Sequence, residues 1–201
     1  MITAVILAAG ESRRMGSENK LLLHFGRETL IRKFVKSVCE SKVENVLVVV
    51  GKDARKVKKN ILDQPVSFVY NPFYKEGITS SIKTGVKAAS MESDGFMICL
   101  SDLPFADKED FNLLINTFTS LRAKEKGALV VVPVFKGNRG NPALFSSEFR
   151  EIILNHKEEG CRAIIEKNRK NTREVLMRND NLFRDIDTPE DYEYNILQIK
   201  S

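Results

Sequence analysis

Between Leu7 and Lys20 the chain reads LAAGESRRMGSENK, with ITAVI before it and LLL soon after. One short segment thus gathers two arginines, a lysine and two glycines at the edge of an apolar run. Glycine lets backbone N–H groups turn inward, and such nests bind anions. Arg14 offers a planar fork and Lys20 a point charge, and both suit phosphate oxygens. The same composition also describes a solvated loop with incidental charge. The spacing excludes two familiar phosphate loops. There is no GxGxxG, and Gly16 is followed by Ser17 rather than by Lys-Ser or Lys-Thr.

Three further segments carry chemistry-capable residues. In SDLPFAD, Asp102 follows the apolar run FMICL. A carboxylate at a strand end can hydrogen-bond its own loop. Among phosphates it can also hold Mg²⁺, which takes one or two carboxylates plus phosphate oxygens. Pro104 restricts Leu103 and stiffens the turn, and Asp107 reads as a helix N-cap with Glu109 and Asp110 behind it. In NPFYKEGITSSIKTG, from Asn71 to Gly85, Gly77 permits a tight turn, and Thr79, Ser80 and Ser81 are expected to cap the helix that follows. In DIDTPEDY, which is expected to end the last strand, Thr188-Pro189-Glu190-Asp191 spells a helix start. That account leaves Asp185 and Asp187 unexplained.

Such loops need strands behind them. Short continuous apolar runs recur: ITAVILA, VLVVV (46–50), VSFVY (66–70), FMICL (96–100) and ALVVVPV (128–134). Rich in Val and Ile and apolar on both faces, they read as central strands of a parallel sheet. Helical stripes lie between them. One is Leu30, Ile31, Phe34, Val35 and Val38; another is Ile82, Val86 and Ala89, with Gly85 allowing close approach; a third is Phe111, Leu114, Ile115 and Phe118. Alternating strand and helix predicts a three-layer α/β domain, in which ligands sit beyond the carboxyl ends of the strands. Residues 135–172 read as a Gly-containing turn with short helices.

Composition narrows the function classes. The chain has 201 residues, 42% hydrophobic and 29% charged, which suits one soluble domain spanning 1–201. No apolar run approaches the roughly 18–20 residues of a membrane span. The N-terminal charges follow the apolar run, where a secretory signal would place them first. Cys39, Cys99 and Cys161 form neither a disulfide framework nor a CxxC pair, which fits a reducing cytoplasm. Net charge is +5. It is spread over segments such as KDARKVKKN, a solvated helix face, and shows no aromatic-basic interleaving. A small anionic ligand fits this distribution better than nucleic acid does. His24 and His156 have no partners in sequence that suggest a catalytic base.

LAAGESRRMGSENKLLL resembles the signature loop of the MobA-like nucleotidyltransferases, LAAGxSxRMGxxK followed by leucines, and most closely that of the molybdenum cofactor cytidylyltransferases. The resemblance implies a Rossmann-like, mostly parallel sheet of the nucleotide-diphospho-sugar transferase type. It implies that the loop wraps a nucleotide through Leu7, Ala8, Ala9, Gly10, Ser12, Arg14 and Lys20, with Arg14 and Lys20 on its phosphates. The family pattern N-P-x-x-x-x-G-x-x-x-S matches Asn71, Gly77 and Ser81, which then line the base and ribose side. Its G-D-Q-P is SDLP here. Asp102 becomes the holder of a catalytic Mg²⁺, and Leu103 and Ser101 replace the usual Gln and Gly. DIDTPEDY is shared, which makes Asp187 a candidate second metal ligand. The implied reaction moves CMP from CTP to the terminal phosphate of molybdopterin cofactor, releasing pyrophosphate. Lys20, Arg14 and Asp102 carry it by charge neutralisation.

Two stretches depart from the family. GxxGHP or GxxGNP is GNRGNP here (137–142), retaining Arg139, Gly140 and Pro142. GDxGAR is KEEGCR (157–162), with Lys157 and Glu158 where Gly and Asp are usual. Both loops are expected to face the acceptor. Three alternatives therefore stay open: GTP as donor, another phosphorylated acceptor, or a non-catalytic nucleotide-binding factor that serves the assembly of a molybdenum hydroxylase or acts beside its maturation factor.

Overall fold

The computed structural model describes residues 1–16 and 18–198; the expected single domain over 1–201 reaches outside these at Ser17 and at 199–201. The chain opens with β1 (Ile2–Ala8), whose side chains are almost all buried, and a loop then leads to a small hairpin of β2 (His24–Phe25) and β3 (Glu28–Thr29). The next elements are α1 (Leu30–Cys39), β4 (Asn45–Val50), α2 (Ala54–Asn60), β5 (Ser67–Tyr70), α3 (Ile78–Ala88), β6 (Gly95–Leu100) and α4 (Lys108–Lys124). The second half holds β7 (Val130–Phe135), β8 (Asn138–Arg139), β9 (Ala143–Ser146), α5 (Arg150–Asn155), α6 (Arg162–Lys167), β10 (Thr172–Leu176) and α7 (Pro189–Leu197).

The central sheet runs in the order β10-β7-β9-β6-β1-β4-β5, with β8 paired to β7. It is mostly parallel, as expected; β9 runs antiparallel to both β6 and β7. The chain travels outward from β1 to β4 and β5, then returns to place β6 on the other side of β1. That reversal creates a crevice at the carboxyl ends of β1 and β6, where open α/β sheets bind their ligands.

The three predicted helical stripes all face the core. Ile31, Phe34, Val35 and Val38 of α1 and Phe111, Leu114, Ile115 and Phe118 of α4 pack on one face of the sheet. Ile82 and Val86 of α3 pack on the other with Phe149, Ile153 and Ile164. Gly85 lets α3 lie close, since a Cβ there would come within 2.1 Å of Val5 Cγ1. Val57 is the one buried side chain of α2, which otherwise presents its lysines to solvent. Cys99 is fully buried, and burial pushes its thiol well up.

Three expectations need correction. VSFVY does not make a central strand: β5 is the edge, with Ser67 and Tyr70 exposed, and its apolar residues read as central because half-buried Phe68 and Val69 still pack against the two opposite core clusters. Thr79, Ser80 and Ser81 do not cap α3. Gly77 (φ 97°) is the N-cap without a side-chain bond, and the hydroxyls lie inside the first turns. DIDTPEDY does not end a strand either. Among the described residues the last strand is β10, and residues 184–187 form no strand, although the Ile186 N–H donates to the Asp102 carbonyl at 3.0 Å. The two helix starts hold: Asp107 and Thr188 each form a capping box, with Asp110 and Asp191.

Candidate active site

Strand register brings the loops together. Leu7 of β1 stands opposite Leu100 of β6, so the Gly10 loop and the Ser101-Asp102 turn leave the sheet side by side. Ser101 Oγ donates to the Leu7 carbonyl at 2.7 Å and locks the two exits. A cleft of about 420 Å³ opens there, lined among others by Leu7, Ala9, Gly10, Ser12, Arg14, Lys20, Gly77, Ser81, Asp102 and Asp187. That volume lies within the roughly 300–1,000 Å³ of small-molecule sites.

The Gly10 loop is built to keep its shape. Ser12 adopts a left-handed conformation (φ 51°), and its Oγ accepts the Lys20 N–H at 3.1 Å, closing the loop on itself. Asn19, buried, accepts the Leu21 N–H through Oδ1 at 3.1 Å and donates through Nδ2 to Asp53 at 3.4 Å. Lys52 holds the other side, its N–H donating to the Ala9 carbonyl and its Nζ to the Glu11 carbonyl. A Cβ at Gly10 would meet nothing within 4 Å, so this glycine leaves open space on the cleft side.

Charge is concentrated at the cleft floor. Lys20 Nζ donates to Asp102 Oδ2 at 2.6 Å and to Asp187 Oδ1 at 2.7 Å, and an Arg14 guanidinium nitrogen lies 2.9 Å from Asp187 Oδ2. The side chains of Lys20 and Asp102 are each only 15% exposed, so water screens this pair little. Burial alone would lower the Lys20 pKa, but Asp102 and Asp187 outweigh it and hold the ammonium above its usual value. Burial likewise opposes the charge of Asp187, yet Lys20 and Arg14 keep it below the usual carboxylate range. Asp185 goes the other way: burial, then repulsion from Asp102 and Asp187, raises its carboxyl. Asp191 accepts the N–H groups of Asp187 and Thr188 at 3.0 and 2.8 Å, so the cap of α7 also fixes Asp187.

Most sequence-derived candidates converge, and two stand outside. Ala8 is buried in the strand core and does not line the cleft. Asn71 is fully buried: its amide donates to Ser80 and Ser81 Oγ, and its Oδ1 accepts the Phe73 N–H at 2.9 Å. It therefore fastens the turn that presents Gly77 and Ser81. Sequence reasoning missed Glu11, Tyr74, Lys75 and Glu159, which also line the cleft. It missed Gly51 too, where a Cβ would meet Tyr74 Cβ at 2.7 Å and the Ala9 carbonyl at 2.8 Å. The available signal was position, since Gly51 follows β4 as Gly10 follows the first strand and its alanine. The two departing loops separate. Asn138–Asn141 lines a second cavity with Asp185 and Phe183, whereas Glu159 enters the cleft and Lys157 an outer groove beside α3.

The donor set suits a cation that needs few protein ligands. Asp102 Oδ1 is buried without a hydrogen-bond partner, and Asp187 stands across Lys20 from it. Among the described residues no group of three or more His, Cys, Asp or Glu is arranged to hold a metal. Two carboxylates fit Mg²⁺, which keeps waters and takes phosphate oxygens, rather than a closed cage of side chains. Fixed cations, a glycine-containing loop and paired carboxylates in one cleft can hold and polarise a polyphosphate.

The MobA-like NTP transferase domain matches residues 4–173. The chain belongs to this family. Nucleotidyl transfer is accordingly its class of activity, and Asp187 lies beyond the matched residues. A purine catabolism protein of Bacillus subtilis, PucB, is 32% identical over 96% of this chain and 94% of its own. A probable molybdenum cofactor guanylyltransferase of Methanosarcina mazei is 27% identical over 81% of this chain and 71% of its own. The Escherichia coli molybdenum cofactor cytidylyltransferase is 25% identical over 95% and 93%. In fold, the crystal structure of 4-diphosphocytidyl-2C-methyl-D-erythritol synthase from Anaerococcus prevotii superposes with a TM-score of 0.77 at 21% identity, covering 100% of this chain and 96% of that one. Among the described residues no helix is long and apolar enough to cross a membrane.

Proposed function

We propose that the chain transfers CMP from CTP to the terminal phosphate of a molybdopterin-type cofactor, releasing pyrophosphate. The observation that carries this reading is the meeting of Arg14, Lys20, Asp102 and Asp187 at the open end of β1 and β6. An acceptor phosphate oxygen forms the new bond to the α-phosphorus, and the bond from that phosphorus to the bridging oxygen breaks as pyrophosphate leaves. No side-chain nucleophile is needed, so the work is alignment and charge stabilisation. Arg14 and Lys20 neutralise the leaving phosphates. The Gly10 loop would offer its N–H groups to them, and it leaves room for the nucleotide where a side chain would stand. Asp102 and Asp187 would hold Mg²⁺, which supplies Lewis-acid polarisation of the α-phosphate when bound.

Cytosine is assigned from Ala9. In guanylyltransferase relatives the matching position is usually glycine, which leaves space for a purine against the backbone. Ala9 borders the cleft and belongs to the same buried apolar cluster as Val5 and Val49, and we assign its methyl the role of narrowing that floor. Pocket-size discrimination is worth about 1–3 kcal/mol, so the preference for CTP over GTP is expected to be roughly ten- to a hundredfold. The likeness to a purine catabolism protein supports a recipient hydroxylase that acts in purine breakdown. Calorimetry with CTP, GTP and ATP in Mg²⁺ tests the donor, and pyrophosphate release with purified molybdopterin cofactor tests the reaction. Tighter binding of GTP would replace the cytidylyl assignment with a guanylyl one, while tight CTP binding without pyrophosphate release would favour an accessory factor.

A further inference from the structure

We infer that Lys20 is the resident counter-ion of the Asp102–Asp187 pair, so that a divalent cation gains both carboxylates only when a polyphosphate draws the Lys20 ammonium away. The inference rests on the proposed reading that nucleotide and metal share this cleft.

Lys20 Nζ stands between the two carboxylates at 2.6 and 2.7 Å, bonded to one oxygen of each. Arg14 occupies the other Asp187 oxygen at 2.9 Å, which leaves Asp102 Oδ1 as the unpartnered buried acceptor. Asp102 and Asp187 would hold Mg²⁺, an ion that takes oxygen ligands at about 2.0–2.1 Å. Both Asp187 oxygens are held, by Lys20 and by Arg14, so a cation that adds Asp187 to the free Asp102 Oδ1 must displace a resident cation, and Lys20 is the one bonded to both carboxylates.

The backbone of Lys20 is held on both sides. Its N–H donates to Ser12 Oγ, and its carbonyl accepts the Leu23 N–H at 3.1 Å. Exchange must therefore come from the four-carbon side chain, which is flexible. A bare metal ion that displaced it would strand an ammonium beside a divalent charge, in a place where Lys20 is only 15% exposed. A triphosphate arriving with the metal supplies new acceptors for both Lys20 and Arg14. Metal and nucleotide are thereby coupled through one side chain, and such coupling is reciprocal.

The test counts free Mn²⁺ by electron paramagnetic resonance, without nucleotide, over wild type, Lys20→Met and Lys20→Gln. Circular dichroism and thermal melts establish that each variant is folded. Removing the competing charge should tighten Mn²⁺ binding by about tenfold or more, the scale of one charge-assisted contact, and adding Asp102→Asn should abolish the gain. Folded Lys20 variants that bind Mn²⁺ no tighter than wild type would overturn the inference. Wild type offers a check without substitution: the NMR signal of the Lys20 ammonium should hold on adding Mg²⁺ alone and move on adding Mg²⁺ with CTP. Movement with Mg²⁺ alone would overturn it as well. A chain that gains Mn²⁺ affinity on losing Lys20 but binds no nucleotide would lose the proposed reaction and keep the counter-ion role.

Discussion

Replacing Asp102 with asparagine separates the structural from the chemical role of this carboxylate. The substitution keeps shape and removes the charge that faces Lys20 at 2.6 Å. A hydrogen bond to a charged group contributes about 1.5–3 kcal/mol and a neutral one about 0.5–1.5, so the direct loss is roughly 1–2 kcal/mol. Two features reduce it. Lys20 keeps Asp187 at 2.7 Å, and one of the acids whose repulsion raises Asp185 is gone. A net cost of about 1 kcal/mol shifts the melting temperature of a domain this size by roughly 2–4 °C. Turnover should respond on another scale. One well-placed electrostatic group is worth about 10²–10³ in rate, and Asp102 also holds the buried oxygen assigned to the metal. The assay pairs a thermal melt with pyrophosphate release at saturating Mg²⁺. A folded Asp102→Asn protein that turns over near the wild-type rate would refute the metal assignment.

Arg14→Ala and Lys20→Ala should each weaken CTP binding by about tenfold or more while leaving CMP nearly unaffected, since each removes a charge-assisted contact assigned to the leaving phosphates; equal losses in calorimetry would move these residues to another part of the ligand. Gly10→Val should melt close to wild type, because a Cβ there points into open space, yet lose most CTP affinity, as a titration of both proteins would show. Asp63, paired with Arg32 at 2.7 Å, should titrate at about 2 by NMR. Its folded pKa is depressed, so its contribution to stability is present above the unfolded value of 3.8 and is lost as pH falls through about 2; Arg32→Met should return the midpoint toward 3.8.

How much of this was legible from sequence depends on the range of the interaction concerned. Periodicity and apolar runs are local, so the α1, α3 and α4 stripes and the β1, β4 and β6 strands could be read directly. So could the capping boxes at Asp107 and Thr188, which need only residues three apart. The failures were also local signals, overridden by distant partners. The hydroxyls at 79–81 look like caps, but Asn71 takes Ser80 and Ser81, and Thr79 accepts the Gly160 N–H. VSFVY looks central because an apolar run says nothing of whether a neighbour lies on each edge.

The site itself shows the same division. Each candidate could be proposed alone, because residues that follow strands in an α/β sheet lie at the ligand end. Composition could not say which of them touch. Lys20 reaches Asp102 across 82 residues and Asp187 across 167, and both contacts depend on a single register, Leu7 opposite Leu100, with Ile186 bonded to the Asp102 carbonyl. A one-residue slip of β6 against β1 would turn its side chains to the opposite face of the sheet and draw Asp102 from the ammonium. The core on both faces forbids that slip, since Val5 and Ile98 pack toward α3 and Ile6 and Cys99 toward the other layer. Site geometry in this chain is thus a consequence of core packing, and the charges at its centre inherit their precision from apolar residues that never meet a ligand.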